Sequence, residues 1–337
     1  MTESLKIMIP MAGLGTRLRP LTWSRPKPLI ALAGRTVLDH LLDMFKTVPD
    51  ENQAEYVFIL SPHQLDMIRE HMSKYYPKKK VRYVLQQEKK GQSDALWQAR
   101  EHMHGPMLMV FSDTLIENSF AFLAEENKDA IAWVKPVPDP RRFGVAEINA
   151  GSIVTRLIEK PRDMNNNLAV VGCYYFRQGE SLLEAIEEQI KRNISLRGEF
   201  YLVDAINILL DKNIQMRIEN VETWLDAGTS EALLDTNRHL LEHGRDSVDN
   251  VKQMEDTIII PPVHINPEAR VNSSIIGPYV SIGAGAVIQS SILRDSIISP
   301  GAHITNTHLE SSLLGHQVVI SGMMGKFNLG DNCWANW

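Results

Sequence analysis

Apolar residues recur at six-residue steps in the last quarter of the chain. They are Ile276, Ile282 and Ile288, followed after a longer step by Ile298 and Ile304, with glycine and small residues between them. This period is typical of a parallel β-helix, in which each turn buries its apolar corner against the next turn. Because the spacing slips after the third isoleucine, a small sandwich of short strands is the alternative.

The first part of the chain alternates short apolar runs with stretches of helical periodicity. We expect strands at 5–9, 56–60, 81–85 and 107–111, and helices at 37–47, 63–75 and 92–103. Strands that alternate with helices at this spacing form a parallel sheet with helices on both faces. Ligands of such sheets bind at the carboxyl ends of the strands.

Residues 130–176 have a different pattern. Short strands follow one another there, which predicts an inserted region of mixed sheet. Helices are expected again at about 180–192, 200–211 and 230–243. The chain is therefore expected to divide into an α/β domain at 1–243, a charged linker at 244–256 and the β-helix at 257–337.

Charge and cysteine content limit the class of protein. The formal net charge is -6, so the chain as a whole does not resemble a nucleic-acid binder. Cys173 and Cys333 lie far apart and lack a metal-type spacing, which favours a reducing compartment. The N-terminal apolar run is too short for a signal peptide, and no stretch reaches the roughly 18 apolar residues of a membrane helix. We expect a cytoplasmic protein.

A glycine-containing loop, MAGLGTRLRPLTWSRPKPL, follows the first strand at residues 11–29. Such a loop can bring backbone N–H groups up to phosphates. It lacks the third glycine of the dinucleotide-binding fingerprint, because Leu18 takes that position, and it lacks the Gly-Lys-Ser/Thr ending of a P-loop.

Basic residues accompany the two glycines of this loop. Arg17 and Arg19 can grip phosphate oxygens with a bidentate fork, and Lys27 supplies a mobile point charge. Pro26 and Pro28 stiffen the backbone on either side of Lys27. The loop predicts a phosphate site, and a solvated basic loop is the alternative.

The order Gly-x-Gly-Thr-Arg-Leu-x-Pro-Leu-Thr, then Pro-Lys-Pro-Leu, resembles the sugar-1-phosphate nucleotidylyltransferase family, most closely glucose-1-phosphate thymidylyltransferases with a C-terminal left-handed β-helix. The resemblance implies the nucleotide-diphospho-sugar transferase fold, which is α/β with a Rossmann-like mixed sheet, and places the catalytic domain at 1–243. It further implies that Arg17 binds the β and γ phosphates and Lys27 the α-phosphate. The nucleotide would be held by Met11, Ala12, Gly13, Leu14, Gly15, Thr16, Arg17 and Lys27.

Three later segments resemble the base-reading and metal-binding parts of this family. Gln86 precedes Gly91 by five residues, which implies base contacts, although Ser93 replaces the usual alanine. Asp113 directly follows a predicted strand, and Asp226 lies in the motif Trp-x-Asp-x-Gly-Thr. The resemblance implies that these two carboxylates hold Mg²⁺, which prefers oxygen ligands. A capping role for Asp113 and a plain strand-to-helix turn around Asp226 are the structural alternatives.

The Glu159-Lys160-Pro161 triplet resembles the family's sugar-handling motif. It implies that Glu159 accepts hydrogen bonds from sugar hydroxyls and that Lys160 pairs with the sugar's phosphate; a surface ion pair is the alternative. The remaining sugar-pocket residues implied are Gly144, Val170, Gly172 and Tyr174, where glycine in a strand is often only a bulge.

The expected activity joins an NTP and a sugar 1-phosphate into an NDP-sugar and releases pyrophosphate. The catalytic residues would be Arg17, Lys27, Asp113, Lys160 and Asp226, with dTTP or UTP and glucose 1-phosphate as substrates. Guanylyl transfer to mannose 1-phosphate and a non-catalytic nucleotide-sensing or scaffold role are the alternatives.

The predicted β-helix leaves one further enzyme class open. Hexapeptide β-helices often belong to acyltransferases that use a histidine base, and four histidines lie in or near the repeat: His264, His303, His308 and His316. No extended loop is available there to build an acyl-donor site. We expect the β-helix to serve assembly or regulation, and the chain to form a homo-oligomer.

Overall fold

The computed structural model describes residues 4–247 and 253–336. Its helices are α1 (Val37–Met44), α2 (Leu65–Tyr75), α3 (Gln92–Gln98), α4 (Gly179–Lys191), α5 (Leu202–Asp211) and α6 (Ser230–Leu240). Short 3₁₀ turns and one π turn are Thr16–Leu18, Leu21–Trp23, Lys27–Leu29, Phe45–Thr47, Glu51–Gln53, Pro62–Gln64, Arg100–His102, Ala121–Ala124 and Leu241–Arg245. Within the described residues, no helix has the length and apolar character needed to span a bilayer.

The strands of the first 226 residues are β1 (Lys6–Pro10), β2 (Ala31–Leu32), β3 (Arg35–Thr36), β4 (Glu55–Leu60), β5 (Lys80–Leu85), β6 (Met107–Val110), β7 (Thr114–Glu117), β8 (Ala130–Pro136), β9 (Gly144–Ile148), β10 (Val154–Glu159), β11 (Leu168–Phe176), β12 (Met216–Asn220) and β13 (Thr223–Asp226). These bounds confirm the predicted alternation and the run of short strands after residue 130.

The later strands are much shorter. They are β14 (Gln253–Glu255), β15 (Ile258–Ile259), β16 (Val263–Ile265), β17 (Arg270–Asn272), β18 (Ile275–Ile276), β19 (Val280–Ile282), β20 (Val287–Gln289), β21 (Ile292–Arg294), β22 (Ile297–Ile298), β23 (His303–Thr305), β24 (His308–Glu310), β25 (Leu313–Leu314), β26 (Val319–Ser321), β27 (Met324–Gly325), β28 (Asn328–Leu329) and β29 (Trp334–Asn336).

The chain forms two compact units. The first, which we call the sheet unit, comprises Met1–Gly13 and Leu41–Trp224; the second, the β-helix unit, comprises Leu14–His40 and Leu225–Trp337. These units do not follow the predicted boundaries, since most of the glycine-containing loop groups with the β-helix. The division at 1–243, 244–256 and 257–337 therefore stays a prediction, and residues 248–252 of the predicted linker lie outside the described residues.

The sheet unit contains one mixed sheet in the order β10-β9-β11-β6-β1-β4-β5, extended by β8 on β11 and β12 on β8. Strands β6, β1, β4 and β5 are parallel, whereas β11 runs antiparallel to β6. The apolar runs of β1 and β6 are fully buried, as expected of strands covered on both faces. This arrangement confirms the predicted Rossmann-like mixed sheet.

Polar residues mark where helices begin. The backbone N–H of Ser61 donates to Gln64 Oε1 at 2.8 Å in a capping box ahead of α2. Thr229 accepts from the backbone N–H of Ala232 and caps α6.

The β-helix unit stacks parallel strands in sheets β14-β17-β20-β23-β26-β29, β15-β18-β21-β24-β27 and β16-β19-β22-β25-β28. Each strand pairs with one a full coil later, as Ile275 does with Ile292 and Val319 with Trp334. The described strands form the parallel sheets of the predicted left-handed β-helix, so the sandwich alternative is wrong.

The slip in the six-residue period has a simple cause. Leu293 fills the buried corner between Ile288 and Ile298. Successive inward-facing residues are therefore separated by five or six positions along the chain rather than by six throughout. The coils are consequently shorter than three full hexapeptides, as the pairing of His308 with Met324 shows. The five isoleucines of the sequence pattern are all buried in this core.

Candidate active site

The loop leaves the end of β1 in the sheet unit with its backbone held. The N–H of Met11 donates to the carbonyl oxygen of Ile59 at 2.8 Å. Ser61 Oγ donates to the carbonyl oxygen of Ala12 at 2.7 Å, and Gln64 Nε2 donates to that of Gly13 at 3.3 Å. Met11 and Ala12 are buried, whereas Gly13 is exposed. The loop therefore begins from a fixed backbone whose first glycine faces open space.

In the β-helix unit, the next part of the loop folds back on itself. Gly15 has a φ of 61°, and a β-carbon on it would lie 2.9 Å from Thr22 Cγ2 and 3.4 Å from Lys27 Cβ. Thr22 Oγ1 donates to the carbonyl oxygen of Gly15 at 2.8 Å. Glycine is needed at this position for both the left-handed backbone and the close approach. The contact brings Lys27 beside the second glycine.

The alternation of apolar and basic residues in the loop has a structural reason. Leu18, Leu21 and Leu29 are buried, while Arg17 is exposed and Lys27 is half-buried. The leucines fix the short 3₁₀ turns, and these turns direct the cations away from the core.

Arg17 and Asp226 meet at Gly228. A β-carbon on Gly228 would lie 2.7 Å from Asp226 Oδ1 and 3.2 Å from Arg17 Nη2. The backbone N–H of Gly228 donates to Asp226 Oδ1 at 2.7 Å, which orients the carboxylate. The motif Trp-x-Asp-x-Gly-Thr thus brings a carboxylate and the loop arginine together, and Thr229 caps α6 as well.

Gln86 and Gly91 form one polar cluster in the sheet unit. Gln86 is buried, and its Nε2 donates to Asp94 Oδ2 at 2.6 Å and to the carbonyl oxygen of Gly91 at 3.3 Å. Gly91 has a φ of 105°, and a β-carbon there would lie 2.5 Å from the carbonyl oxygen of Phe200. The glycine therefore permits close approach of two backbone segments, and Asp94 fixes the amide of Gln86.

Ser93 occupies a site suited to the alanine it replaces. It is fully buried, and its Oγ has no hydrogen-bond partner within 4–247 and 253–336. A buried hydroxyl without a partner costs free energy. The substitution leaves Gln86 and Gly91 in contact.

Asp113 lies in the turn that follows β6. Phe111 N–H donates to the carbonyl oxygen of Gly172 at 3.0 Å, and Thr114 Oγ1 donates to that of Val171 at 2.8 Å. The half-buried Asp113 is thus held between two residues that are tied to β11. This is the carboxyl end of a sheet strand, where the sequence predicted the aspartate.

Glu159 and Lys160 lie beside Tyr201. Lys160 Nζ is 3.4 Å from Glu159 Oε1 and 4.9 Å from the centre of the Tyr201 ring. Burial raises the pKa of Glu159 and Lys160 offsets only part of this effect, while the nearby Asp204 raises the pKa further. The ion pair considered as an alternative does exist, and it presents an exposed ammonium group that could bind a phosphate.

Replacing Glu159 with glutamine tests this electrostatic arrangement. The raised pKa means that the folded state disfavours ionised Glu159, so its charge costs stability at pH 7–8. We expect Glu159→Gln to raise the Tm at pH 8. The gain should shrink as the pH falls through the raised pKa and vanish below 4.5, the ordinary value, because the wild-type carboxyl is then protonated in both states. The Tm of both proteins between pH 4 and 8 measures this, and a constant difference would contradict it.

The other predicted sugar-pocket residues differ in exposure. Gly144 pairs with Glu159 across β9 and β10, and a β-carbon on it would lie 3.4 Å from Glu159 Oε2. Val170 and Tyr174 are buried in the core, on either side of a register irregularity at Gly172. Gly172 also admits the Phe111 ring, since a β-carbon would lie 2.5 Å from its Cδ2. The glycine of β11 is therefore a bulge, as the structural alternative held, and it supports the Asp113 turn.

Sequence reasoning missed the segment 200–204. Phe200 contacts Gly91, Tyr201 lies at Lys160, and Asp204 faces Glu159. This segment joins the predicted base-reading and sugar-handling residues within the sheet unit. No motif marks it, because its partners are separated from it by 40 residues or more along the chain.

The structure thus groups the predicted residues within each unit. The sheet unit holds Met11, Ala12, Gly13, Gln86, Gly91, Asp113, Gly144, Glu159 and Lys160, and the β-helix unit holds Leu14, Gly15, Thr16, Arg17, Lys27 and Asp226. Among the described residues, no group of three or more His, Cys, Asp or Glu side chains is arranged to hold a metal ion. A metal site formed by these residues would therefore use fewer than three such side chains as ligands.

Comparison with known proteins gives the family. A family described as "Nucleotidyl transferase" matches residues 6–243. A glucose-1-phosphate thymidylyltransferase of Streptomyces griseus is 27% identical and covers 94% of each chain. The bifunctional protein GlmU of Methanocaldococcus jannaschii is 31% identical over 74% of this chain and 57% of its own length. The chain belongs to the nucleotidyl transferase family, which confirms the resemblance found in the loop.

Solved structures support the fold. A UDP-glucose pyrophosphorylase complexed with UDP-glucose has a TM-score of 0.60 and 17% sequence identity, covering 72% of this chain and 100% of that chain. At this identity the likeness concerns the fold alone.

Proposed function

We propose that the chain transfers a nucleotidyl group from dTTP or UTP to glucose 1-phosphate. The observation that carries the proposal is the meeting of Arg17 and Asp226 at Gly228. Arg17 lies on the same loop that brings Lys27 beside Gly15. The thymidylyltransferase of Streptomyces griseus matches over nearly the whole chain, β-helix included, and this supports the choice of substrates.

In the proposed reaction, an oxygen of the sugar 1-phosphate forms a bond to the α-phosphorus of the NTP. The bond from that phosphorus to the bridging oxygen breaks, and its electron pair leaves with pyrophosphate. A phosphate oxygen is already ionised, so the reaction needs no general base. Because both reactants are anions, catalysis depends on positioning and on neutralising charge.

Each cation has one place in this scheme. Arg17 binds the β and γ phosphates, Lys27 the α-phosphate, and Lys160 the phosphate of the sugar. Glu159 accepts hydrogen bonds from sugar hydroxyls, and its partial burial strengthens them. Gln86 and the backbone of 11–15 hold the nucleoside, with Gly13 leaving room for close approach.

Asp113 and Asp226 are the proposed magnesium ligands. Mg²⁺ keeps several waters and is usually held by one or two carboxylates together with substrate phosphates, so the chemistry of two aspartates suits this ion. The bound ion would offset the negative charge of the phosphates. The protein's own part is to orient the carboxylates, which Gly228 does for Asp226 through its N–H.

A matrix of NTPs against sugar 1-phosphates tests the proposal, with pyrophosphate release as the measurement. We expect the highest kcat/KM with dTTP or UTP and glucose 1-phosphate. A preference for GTP and mannose 1-phosphate would overturn the substrate assignment while keeping the reaction. No pyrophosphate from any pair would favour the non-catalytic role, and acetyl-CoA binding would favour acyl transfer.

A further inference from the structure

The last coil of the β-helix touches the predicted phosphate-binding loop, and both belong to the β-helix unit. Arg25 Nε donates to Asp331 Oδ2 at 2.8 Å. Asp331 Oδ1 accepts from the backbone N–H of His316 at 2.8 Å, so the carboxylate is held on both sides. The side chain of Asp331 is only 6% exposed. A carboxylate so well buried and so fully hydrogen-bonded has a fixed position.

Two neighbours of Asp331 contact the loop backbone. Asn328 Nδ2 donates to the carbonyl oxygen of Arg19 at 3.4 Å and to Ser230 Oγ at 3.1 Å. A β-carbon on Gly330 would lie 3.0 Å from the carbonyl oxygen of Pro20. The loop and the coil therefore meet through backbone as well as through the ion pair.

Helix α6 and the first coils together hold the far side of the same segment. Asn237 Oδ1 accepts from the backbone N–H of Ala33 at 3.1 Å and from Ser281 Oγ at 2.7 Å. Gly34 lies against the ring of His264, where a β-carbon would clash. The turn between β2 and β3 is therefore held by α6 and by the beginning of the β-helix, as residues 19–25 are by its end.

We infer that the β-helix positions the phosphate-binding loop, and that Asp331 is the positioning residue that sets the conformation of residues 15–27. This inference rests on the proposed function, in which Arg17 and Lys27 of this loop bind the phosphates of the nucleotide. Lys27 lies between the two anchors just described, and Arg17 lies two residues before Arg19, where the first anchor begins. Asp331 acts on the loop through Arg25, which is not one of the cations proposed to bind phosphate.

Replacing Asp331 with asparagine keeps the shape of the side chain and removes the charge that holds Arg25. We expect the dissociation constant for magnesium-dTTP, measured by calorimetry without sugar phosphate, to rise roughly 10-fold, because small displacements of binding groups are costly. Amide hydrogen exchange in residues 15–25 should become faster by about the same factor, because the loop loses an anchor.

Glu126→Gln is the matched control. Glu126 is likewise 6% exposed, and its Oε2 pairs with Arg217 Nη2 at 2.7 Å, but this pair belongs to the sheet unit. We expect this variant to lower the Tm by a similar amount while leaving exchange in 15–25 and dTTP affinity unchanged. Either single substitution, Arg25→Gln or Asp331→Asn, breaks the same ion pair. The double variant should therefore bind dTTP no more weakly than the single variant that has the lower affinity.

Each outcome decides the inference. Unchanged exchange in residues 15–25 of Asp331→Asn overturns it, as does a loss of affinity no greater than that of Glu126→Gln. A wild-type protein that binds dTTP but releases no pyrophosphate would remove the proposed reaction and leave the positioning role supported by the exchange and affinity data. A wild type that binds no nucleotide overturns the positioning role for this ligand.

Discussion

Lys27→Ala should lower turnover by roughly 10²–10³, the usual cost of losing one preorganised charge contact in a transition state. Lys27 lies beside Gly15 and is half-buried between two prolines in a 3₁₀ turn, so its position is set by the backbone. In the proposed reaction its ammonium group neutralises charge that grows on the α-phosphate. We expect kcat to fall more than the NTP affinity, as measured by initial rates of pyrophosphate release.

Lys191→Ala is the control for this variant. It removes the same charge from a side chain on α4 that is 70% exposed and has no proposed role. Its kcat should equal that of the wild type, and both variants should keep the wild-type Tm within a few degrees. Near-normal turnover of Lys27→Ala would remove this lysine from the mechanism.

Asp113→Asn should abolish the response of the enzyme to magnesium. The amide cannot supply the negative charge of a hard-cation ligand, so we expect a fall of roughly 10²–10³ in kcat that added magnesium does not restore. Asparagine has nearly the shape of aspartate, so we expect the half-buried turn after β6 to keep its conformation. A magnesium titration of pyrophosphate release measures the effect.

Asp211→Asn provides the comparison, because it removes one negative charge from the exposed end of α5. Its magnesium titration should match that of the wild type, whereas Asp226→Asn should behave like Asp113→Asn. A wild-type magnesium curve for Asp113→Asn would show that this aspartate has only a capping role.

Asp331 can hold the predicted phosphate-binding loop because residues 14–40 and Asp331 belong to the same unit. Residues 14–40 group with the β-helix rather than with the sheet from which the chain has just come. The β-helix was expected to serve assembly or regulation. Its contacts with Arg19, Pro20 and Arg25 add a further role, which is to hold the loop that is proposed to bind phosphate. Self-association of the chain stays a prediction.

Local patterns gave most of the elements. The predicted strand at 81–85 is Lys80–Leu85, and the predicted helix at 63–75 is Leu65–Tyr75 after one 3₁₀ turn. The predicted helices at 37–47 and 92–103 both end early, at Met44 and Gln98, and continue as 3₁₀ turns. The apolar pattern does not distinguish the two helix types, because both bury a similar face over a few residues.

The site was less accessible to sequence reasoning. Motifs identified Arg17, Lys27 and Asp226, since the order of residue types along a loop is a local property. Tyr201 and Asp204 belong to no such motif. They come close to Lys160 and Glu159 only when α5 packs beside β10. The side chains of Val170 and Tyr174 are buried in the core, and their place at a sugar pocket stays a prediction.

The sequence by itself determined the alternation of strands and helices and the β-helix, and it supplied the prediction that the loop at 11–29 binds phosphate. These depend on periodicity and residue type over about 20 residues, which neighbouring residues alone specify. Only the tertiary structure decided that Arg25 pairs with Asp331, 306 residues away, and that the loop groups with the β-helix. Whether two such distant residues meet depends on the geometry of all the turns between them, and no local sequence pattern specifies that geometry.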